Sequence, residues 1–306
     1  MEYYTDLIYI KPKKKVALTI GKFDGLHRGH ELLCEKLREK KAAGFDTAVL
    51  TFDRSIRDTL YKDEEKNIIS KDERKALFRK EKVDYLIELP FSEKLMKTSP
   101  EDFIRLLYKE LKMRYFVAGS DFHFGYKGKG DAALLKDLSG MMGFELDILD
   151  KLKKDERDIS STYIREEIKK GNVSLADELL GYSYFIWGEI VHGNHIGRTI
   201  GIPTINMIPP KDKLLPPNGV YVTKIEIDTR EYHGITNIGV KPTVDGTGNL
   251  TVETHIFDFK EDVYEKHAKV SFLKFLRPET KYKNITELKA QIMVDEREAL
   301  SYFNHI

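Results

Sequence analysis

The stretch "VALTIGKFDGLHRGHELL", residues 16–33, decides how the first half of this chain folds. An unbroken apolar run, Val16–Ile20, leads into a ten-residue turn with three glycines and two histidines. A helical pattern follows from Glu31 to about Lys41. Apolar on every residue, the first run fits a strand covered on both faces. A strand leaving the sheet through glycines into a helix frees backbone N–H groups and aims a positive helix end at the turn, which suits an anion. His27 and His30, three apart, share one face of the first helical turn. Imidazoles there can donate to phosphate oxygens. A metal site would need a third ligand, and no neighbouring Cys or carboxylate is spaced to supply it. Core packing of both rings fits poorly with Arg28 and Gly29 between them.

Outward from this turn the alternation continues to about residue 181. "TAVLTF", "YLIEL", "RYFVAG" and "ELDIL" are strands, and "PEDFIRLLYKEL" and "DAALLKDLSGMM" are helices. Ser99 is placed to cap the first of these helices, with Asp102 three residues on. Strands alternating with helices predict an α/β doubly wound parallel sheet, with ligands at the carboxyl ends of its strands. Two further helices, 162–170 and 174–180, end at Gly171 and Gly181, both placed as left-handed terminators. Beyond Gly181 the period changes to two. "IWGEIVHG", "GVYVTKIEID", "EYHGITNIG", "TVETHIFDF" and "AKVSFLKFL" predict a small antiparallel β-barrel, closed by a helix from near Thr286 to Phe303. The predicted domains are 1–182 and 183–306.

Bulk properties narrow the classes. With 306 residues the chain can hold two domains, and 51 Lys and Arg against 50 Asp and Glu create no global field for nucleic acid or membrane. The one cysteine, Cys34, excludes an internal disulfide and a cysteine-rich zinc site, and its leucine neighbours predict burial. No apolar run approaches the roughly 18 residues of a membrane span, and the start carries no signal-peptide pattern. A soluble cytoplasmic protein is expected.

Other segments bear chemistry. In "ISSTYIR", 159–165, Ser160, Ser161 and Thr162 supply hydroxyls at a helix start and Arg165 a guanidinium fork. In "GRTIGIPTIN", 197–206, Gly197 and Gly201 permit close approach to phosphate, and Thr204 and Asn206 offer neutral oxygens to a hard cation. Each has a plainer reading, an ordinary helix cap and a strand-edge turn.

Taken in order, these segments resemble the prokaryotic bifunctional riboflavin kinase/FAD synthetases. "GKFDGLHRGH" is similar to their GxFDGxHxGH signature, "GSDFHFGYKGKGD" (119–131) to GxxFxFGxxxxGD, "ISSTYIR" to SSTxIR and "GRTIGIPTIN" to GRxLGxPTAN. "PPNGVY", "NIGVKPT", "VETHIFDF" and "LRPETKY" follow in the family's order, so the resemblance spans about Lys14 to Phe303.

The resemblance implies an FMN adenylyltransferase in the first domain and a riboflavin kinase in the second, with ATP, riboflavin and FMN as substrates and Mg²⁺ as cofactor. It implies catalytic roles for His27, His30 and Glu253, the last as base for the riboflavin 5′-hydroxyl. Nucleotide or phosphate binding falls to Gly21, Phe23, Asp24, Gly25, Ser160, Ser161, Thr162, Arg165, Gly197, Arg198 and Gly201. Flavin binding falls to Asp121, Phe122, Phe124 and Arg277, and metal binding to Thr204 and Asn206. There are departures. "TFDRSIRDTL" stands where the family has a His-Pro, Asp121 where it often has Asn, and "DVYEKH" where it has DLYG. They leave open a relative with one active half, or a flavin-binding regulator.

Overall fold

The computed structural model describes residues 1–53, 65–192, 201–241 and 249–305. Two compact units emerge. The first comprises residues 1–66 and 71–161, the second 67–70 and 162–306.

The first unit is built on β1 (Glu2–Tyr4), β2 (Val16–Ile20), β3 (Asp46–Phe52), β4 (Tyr85–Leu89), β5 (Met113–Gly119) and β6 (Glu145–Leu149), all parallel, in the order β1-β4-β3-β2-β5-β6. Every residue of β2 and β4 is buried, which is why neither alternates. The helices are α1 (Arg28–Ala42), α2 (Lys71–Lys80), α3 (Glu93–Met96), α4 (Pro100–Glu110) and α5 (Ala132–Met142). Ser99 caps α4, its hydroxyl accepting from the Asp102 amide at 3.1 Å. Such a cap contributes about 1 kcal/mol. Cys34 is buried on α1. Strand order reverses at β2, whose neighbours are β3 on one side and β5 on the other. Ligand crevices of open α/β sheets form at such a reversal, outside the carboxyl ends of the strands. A two-stranded hairpin, β7 (Lys153–Lys154) and β8 (Arg157–Asp158), precedes α6 (Ser161–Lys169).

In the second unit a closed barrel runs β10-β13-β12-β11-β14-β9, antiparallel throughout: β9 (Phe185–Val191), β10 (Thr204–Met207), β11 (Gly219–Ile227), β12 (Arg230–Lys241), β13 (Asn249–Ile256), β14 (His267–Pro278). Along β13, Val252, Thr254 and Ile256 are buried while Thr251, Glu253 and His255 are partly exposed, the period of a sheet with one closed face. Inside, the Thr223, Thr236 and Thr254 hydroxyls form a chain at 2.8 and 2.9 Å that satisfies each buried oxygen. On the outer face, the closing helix α8 (Ile285–Phe303) packs Ala299, Ile292 and Phe303 over Val220, Val222 and Ile235. Burying each large apolar side chain contributes about 1.5–3 kcal/mol. α7 (Val173–Leu180) also belongs here, and Gly171 and Gly181 take the left-handed conformation expected, at φ 80° and 83°. The segment 67–70 is held by a buried lysine: Lys213 Nζ donates to the carbonyls of Ile68 at 2.7 Å and Phe185 at 2.9 Å.

No helix among the described residues is long and apolar enough to cross a membrane.

Candidate functional site

At the end of β2 the chain turns sharply. Phe23, Gly25 and Leu26 all have positive φ (49°, 91° and 40°), and the Phe23 ring is fully buried against Phe78 and His30, at 5.3 and 4.9 Å between centroids. That packing offsets the cost of a left-handed phenylalanine, roughly 1–2 kcal/mol. Gly21 must stay small, because a Cβ there would meet the Phe23 ring at 3.2 Å. Backbone that alternates handedness this way forms an anion-binding concavity.

His27 occupies the cap position of α1 without a side-chain capping bond, and its ring stacks on His30 at 3.7 Å between centroids. Nδ1 of each ring is buried with no hydrogen-bond partner among the described residues, which leaves Nε2 to meet a ligand. Desolvation lowers the His27 pKa to about 4, opposed by the Asp121 carboxylate. Desolvation, and then the adjacent His27, holds His30 well below its ordinary value. Both rings are therefore neutral donors near pH 7.

The carbonyl of the buried Asp24 accepts from Ser161 Oγ at 2.7 Å, so two sequence segments far apart meet at this turn. Ser160 directly precedes that contact. Thr162 and Arg165 lie one turn apart on α6, within the second compact unit, Thr162 exposed and Arg165 buried. At the end of β5, Asp121 pairs with Lys151 at 2.9 Å. Phe122 and Phe124 stack at 5.3 Å; Phe124 is buried in the core, and Phe122 keeps a partly open face. Residues 54–60, where the His-Pro departure falls, lie outside the described residues.

Three residues that no motif marks also shape this site. Arg74 on α2 binds Glu88 of β4 at 2.5 Å and reaches the Lys22 carbonyl at 3.5 Å, and Thr51 donates to that carbonyl at 3.3 Å. Glu88 is almost fully buried and also takes bonds from Tyr3 and Lys71. In sequence, "KDERK" is merely a charged helix face.

The barrel unit carries a second constellation on its outer face. Asn206, Glu253, Asn237, Val220 and Arg277 stand directly opposite one another across β10, β13, β12, β11 and β14, a row across five strands. Thr204 Oγ1 donates to Glu253 Oε1 at 2.8 Å. Arg277 is held by Asp295 of α8 in a fork at 2.7–3.1 Å. Glu253, Asn237 and Arg277 line a cavity of about 530 Å³ roofed by Leu288 and Ile292 of α8. A second cavity of about 260 Å³ is lined by Pro203, Thr254 and Tyr264, and Thr204 borders both. Gly201 has φ 76°, and a Cβ there would meet no atom of the described residues within 4 Å; Gly197 and Arg198 lie outside the described residues. The glycine absent from "DVYEKH" is replaced by Glu265, which keeps the left-handed turn at φ 65°. Asp295 joins the site only through helix docking, so spacing could not reveal it, whereas Asn237 opens the NIGVKPT segment.

A parallel sheet with a His-x-Gly-His turn at its reversal point and a barrel whose Glu253 carboxylate lines a cavity are the parts of a two-unit transferase. A family model for FAD synthetase matches residues 10–163, and one for riboflavin kinase matches 180–303. The bifunctional riboflavin kinase/FMN adenylyltransferase of Bacillus subtilis (strain 168) is 36% identical over 300 residues, covering 95% of this chain and 94% of its own. That of Haemophilus influenzae is 35% identical over 292 residues, covering 94% of each. A Streptococcus pneumoniae crystal structure described as a macrolide-efflux protein superposes with a TM-score of 0.87 at 31% identity, covering 97% of both chains. The chain belongs to the bifunctional riboflavin kinase/FMN adenylyltransferase family.

Proposed function

We propose that this protein makes both flavin cofactors: riboflavin and ATP give FMN and ADP in the barrel domain (183–306), and FMN and ATP give FAD and pyrophosphate in the sheet domain (1–182). The observation that carries the kinase assignment is Glu253, hydrogen-bonded to Thr204 where two cavities adjoin. The larger takes the flavin and the smaller the nucleotide. Glu253 accepts the proton of the ribityl 5′-hydroxyl as its oxygen bonds to the γ-phosphorus and the bond to ADP breaks. Arg277, fixed by Asp295, orients the flavin.

In the sheet domain, an FMN phosphate oxygen attacks the α-phosphorus of ATP and pyrophosphate leaves. His27 and His30 donate from Nε2 to the oxygens on which charge builds, already oriented by stacking. Gly21, Asp24 and Gly25 shape the phosphate turn, Ser160 and Ser161 add donors, and Asp121 and Phe122 border the flavin.

Thr204 and Asn206 sit two apart on β10 and offer only neutral oxygens beside one carboxylate. No group of three His, Cys, Asp or Glu placed to hold a metal occurs among the described residues. That donor set fits a Mg²⁺ that keeps water and nucleotide phosphate as its other ligands. When bound it offsets phosphate charge.

Incubation with riboflavin, ATP and Mg²⁺, followed by separation of products, tests the assignment. The wild type accumulates FMN and FAD. Glu253→Gln makes neither from riboflavin yet converts added FMN to FAD; a His27→Gln/His30→Gln variant stops at FMN. Loss of both activities in either folded variant would overturn this division of labour.

A further inference from the structure

Two neighbouring strand ends of the sheet domain carry opposite charges at matching positions. β5 ends at Gly119 and β6 at Leu149, which are partners in the parallel register, and the Ser120 amide donates to the Leu149 carbonyl at 2.8 Å. Two residues beyond these ends stand Asp121 and Lys151. Lys151 Nζ lies 2.9 Å from Asp121 Oδ2 and 3.4 Å from Asp158 Oδ2. Asp158 ends β8 and precedes Ser160 by two residues. One ammonium therefore ties the turn that carries Phe122 to the segment that leads into the serines. Lys151 belongs to "DKLKKDERD", 150–158, outside every segment that resembles the family's.

These contacts do little for stability. Each of the three side chains is more than a third exposed, and pairs so open to solvent contribute little to folding. Their place in the fold is what matters. Ligands of open parallel sheets bind outside the carboxyl ends of the strands. The Asp121 carboxylate is close enough to act electrostatically on His27. Adenylyl transfer brings the FMN phosphate and the ATP triphosphate to that ring, and an uncompensated carboxylate there opposes both anions. Asp121 is turned back onto its own strand end: Oδ1 lies over Gly119, where a Cβ would stand 3.0 Å from it, and Oδ2 meets Lys151.

We infer that Lys151 is a positioning residue for adenylyl transfer: it holds the Asp121 carboxylate back and offsets its charge, so that phosphate groups can enter beside the histidine turn. This rests on the FMN adenylyltransferase reading above. Lys151 forms and breaks no bond. It acts through Asp121, so its removal matters only while that carboxylate is present.

The experiment follows pyrophosphate release from FMN, ATP and Mg²⁺ with full-length wild type, Lys151→Met, Lys151→Arg, Asp121→Asn and the Lys151→Met/Asp121→Asn double variant. Lys151→Met raises KM for FMN about tenfold while kcat stays within about twofold. Added KCl shrinks that defect, because exposed charges are screened. Lys151→Arg keeps the charge and restores KM. In the Asp121→Asn background, removing the lysine changes KM by less than about twofold. Lys151→Gln replaces the methionine variant if that one fails to fold. A folded Lys151→Met with the KM of wild type overturns the inference. So does a defect that persists in the Asp121→Asn background, that falls on kcat alone, or that ignores salt. In each of those cases a wild type that makes FAD leaves the adenylyltransferase reading standing. A wild type that makes no FAD from FMN brings down that reading, and the inference with it.

Discussion

Gly29 lies against the face of His27: a Cβ on Gly29 would stand 3.2 Å from both Cε1 and Nδ1 of the ring. The spacing of the two histidines places them on one helical face, and this glycine lets the first ring fold back to stack on the second. Gly29→Ala separates the two effects. Alanine favours the helix by up to about 1 kcal/mol, so the melting temperature holds or rises. The displaced ring loses alignment with the phosphates, and FAD formation from FMN falls about tenfold. Calorimetry beside a pyrophosphate-release assay checks both halves.

Acid weakens this site in a defined window. His27 has a folded pKa of about 4 against 6.5 unfolded. Between those values the unfolded chain binds more protons, so stability is full above about pH 6.5 and is lost as pH falls toward 4. His30 shifts in the same direction. His27 alone accounts for about 3 kcal/mol across the window. Urea unfolding at stepped pH shows a slope in wild type that the His27→Gln/His30→Gln variant largely lacks.

Glu265 holds a left-handed turn where the family has glycine. Its exposed side chain contributes little packing there. Glu265→Gly removes about 1–2 kcal/mol of steric cost and adds slightly less in unfolded-chain entropy. The expected net gain is about 0.5–1 kcal/mol, read as a higher urea midpoint at unchanged slope.

The Arg277–Asp295 fork is the chief polar tie between α8 and the cavity. Asp295→Ala strands a partly buried guanidinium and costs about 3 kcal/mol. Adding Arg277→Met restores most of that stability, because a neutral pair has no charge to desolvate. The double variant still has a raised KM for riboflavin. Melting curves and initial rates on the single and double variants separate anchoring from ligand contact.

How much of this was legible in the sequence depends on the range of the interaction. Val16–Ile20 and Tyr85–Leu89 announce covered strands because both faces are buried, and Gly171 and Gly181 end helices because the left-handed conformation demands it. Ser161 is visible as a helix-start hydroxyl, though its bond to the Asp24 carbonyl is not, since 137 residues separate them. β1 passes unnoticed as three residues whose strand character comes wholly from pairing with β4. Membership of 67–70 in the barrel unit depends on Lys213, a lysine buried for its backbone contacts, against the usual exposure of that residue type. Asp295 and Arg74 carry no local signal, because their neighbours are chosen by docking.

The five-strand row makes parity a functional quantity. A residue inserted into or removed from β12 or β13 would swap the walls: Glu253 or Asn237 would turn into the threonine-lined interior, and an apolar neighbour would face the cavity. In an open sheet an edge strand could slide to recover the match. A closed ring offers no such freedom, since shifting one pairing disturbs every other around the circumference. The barrel therefore acts as a ratchet on its own coding sequence, accepting length changes between strands and punishing them within.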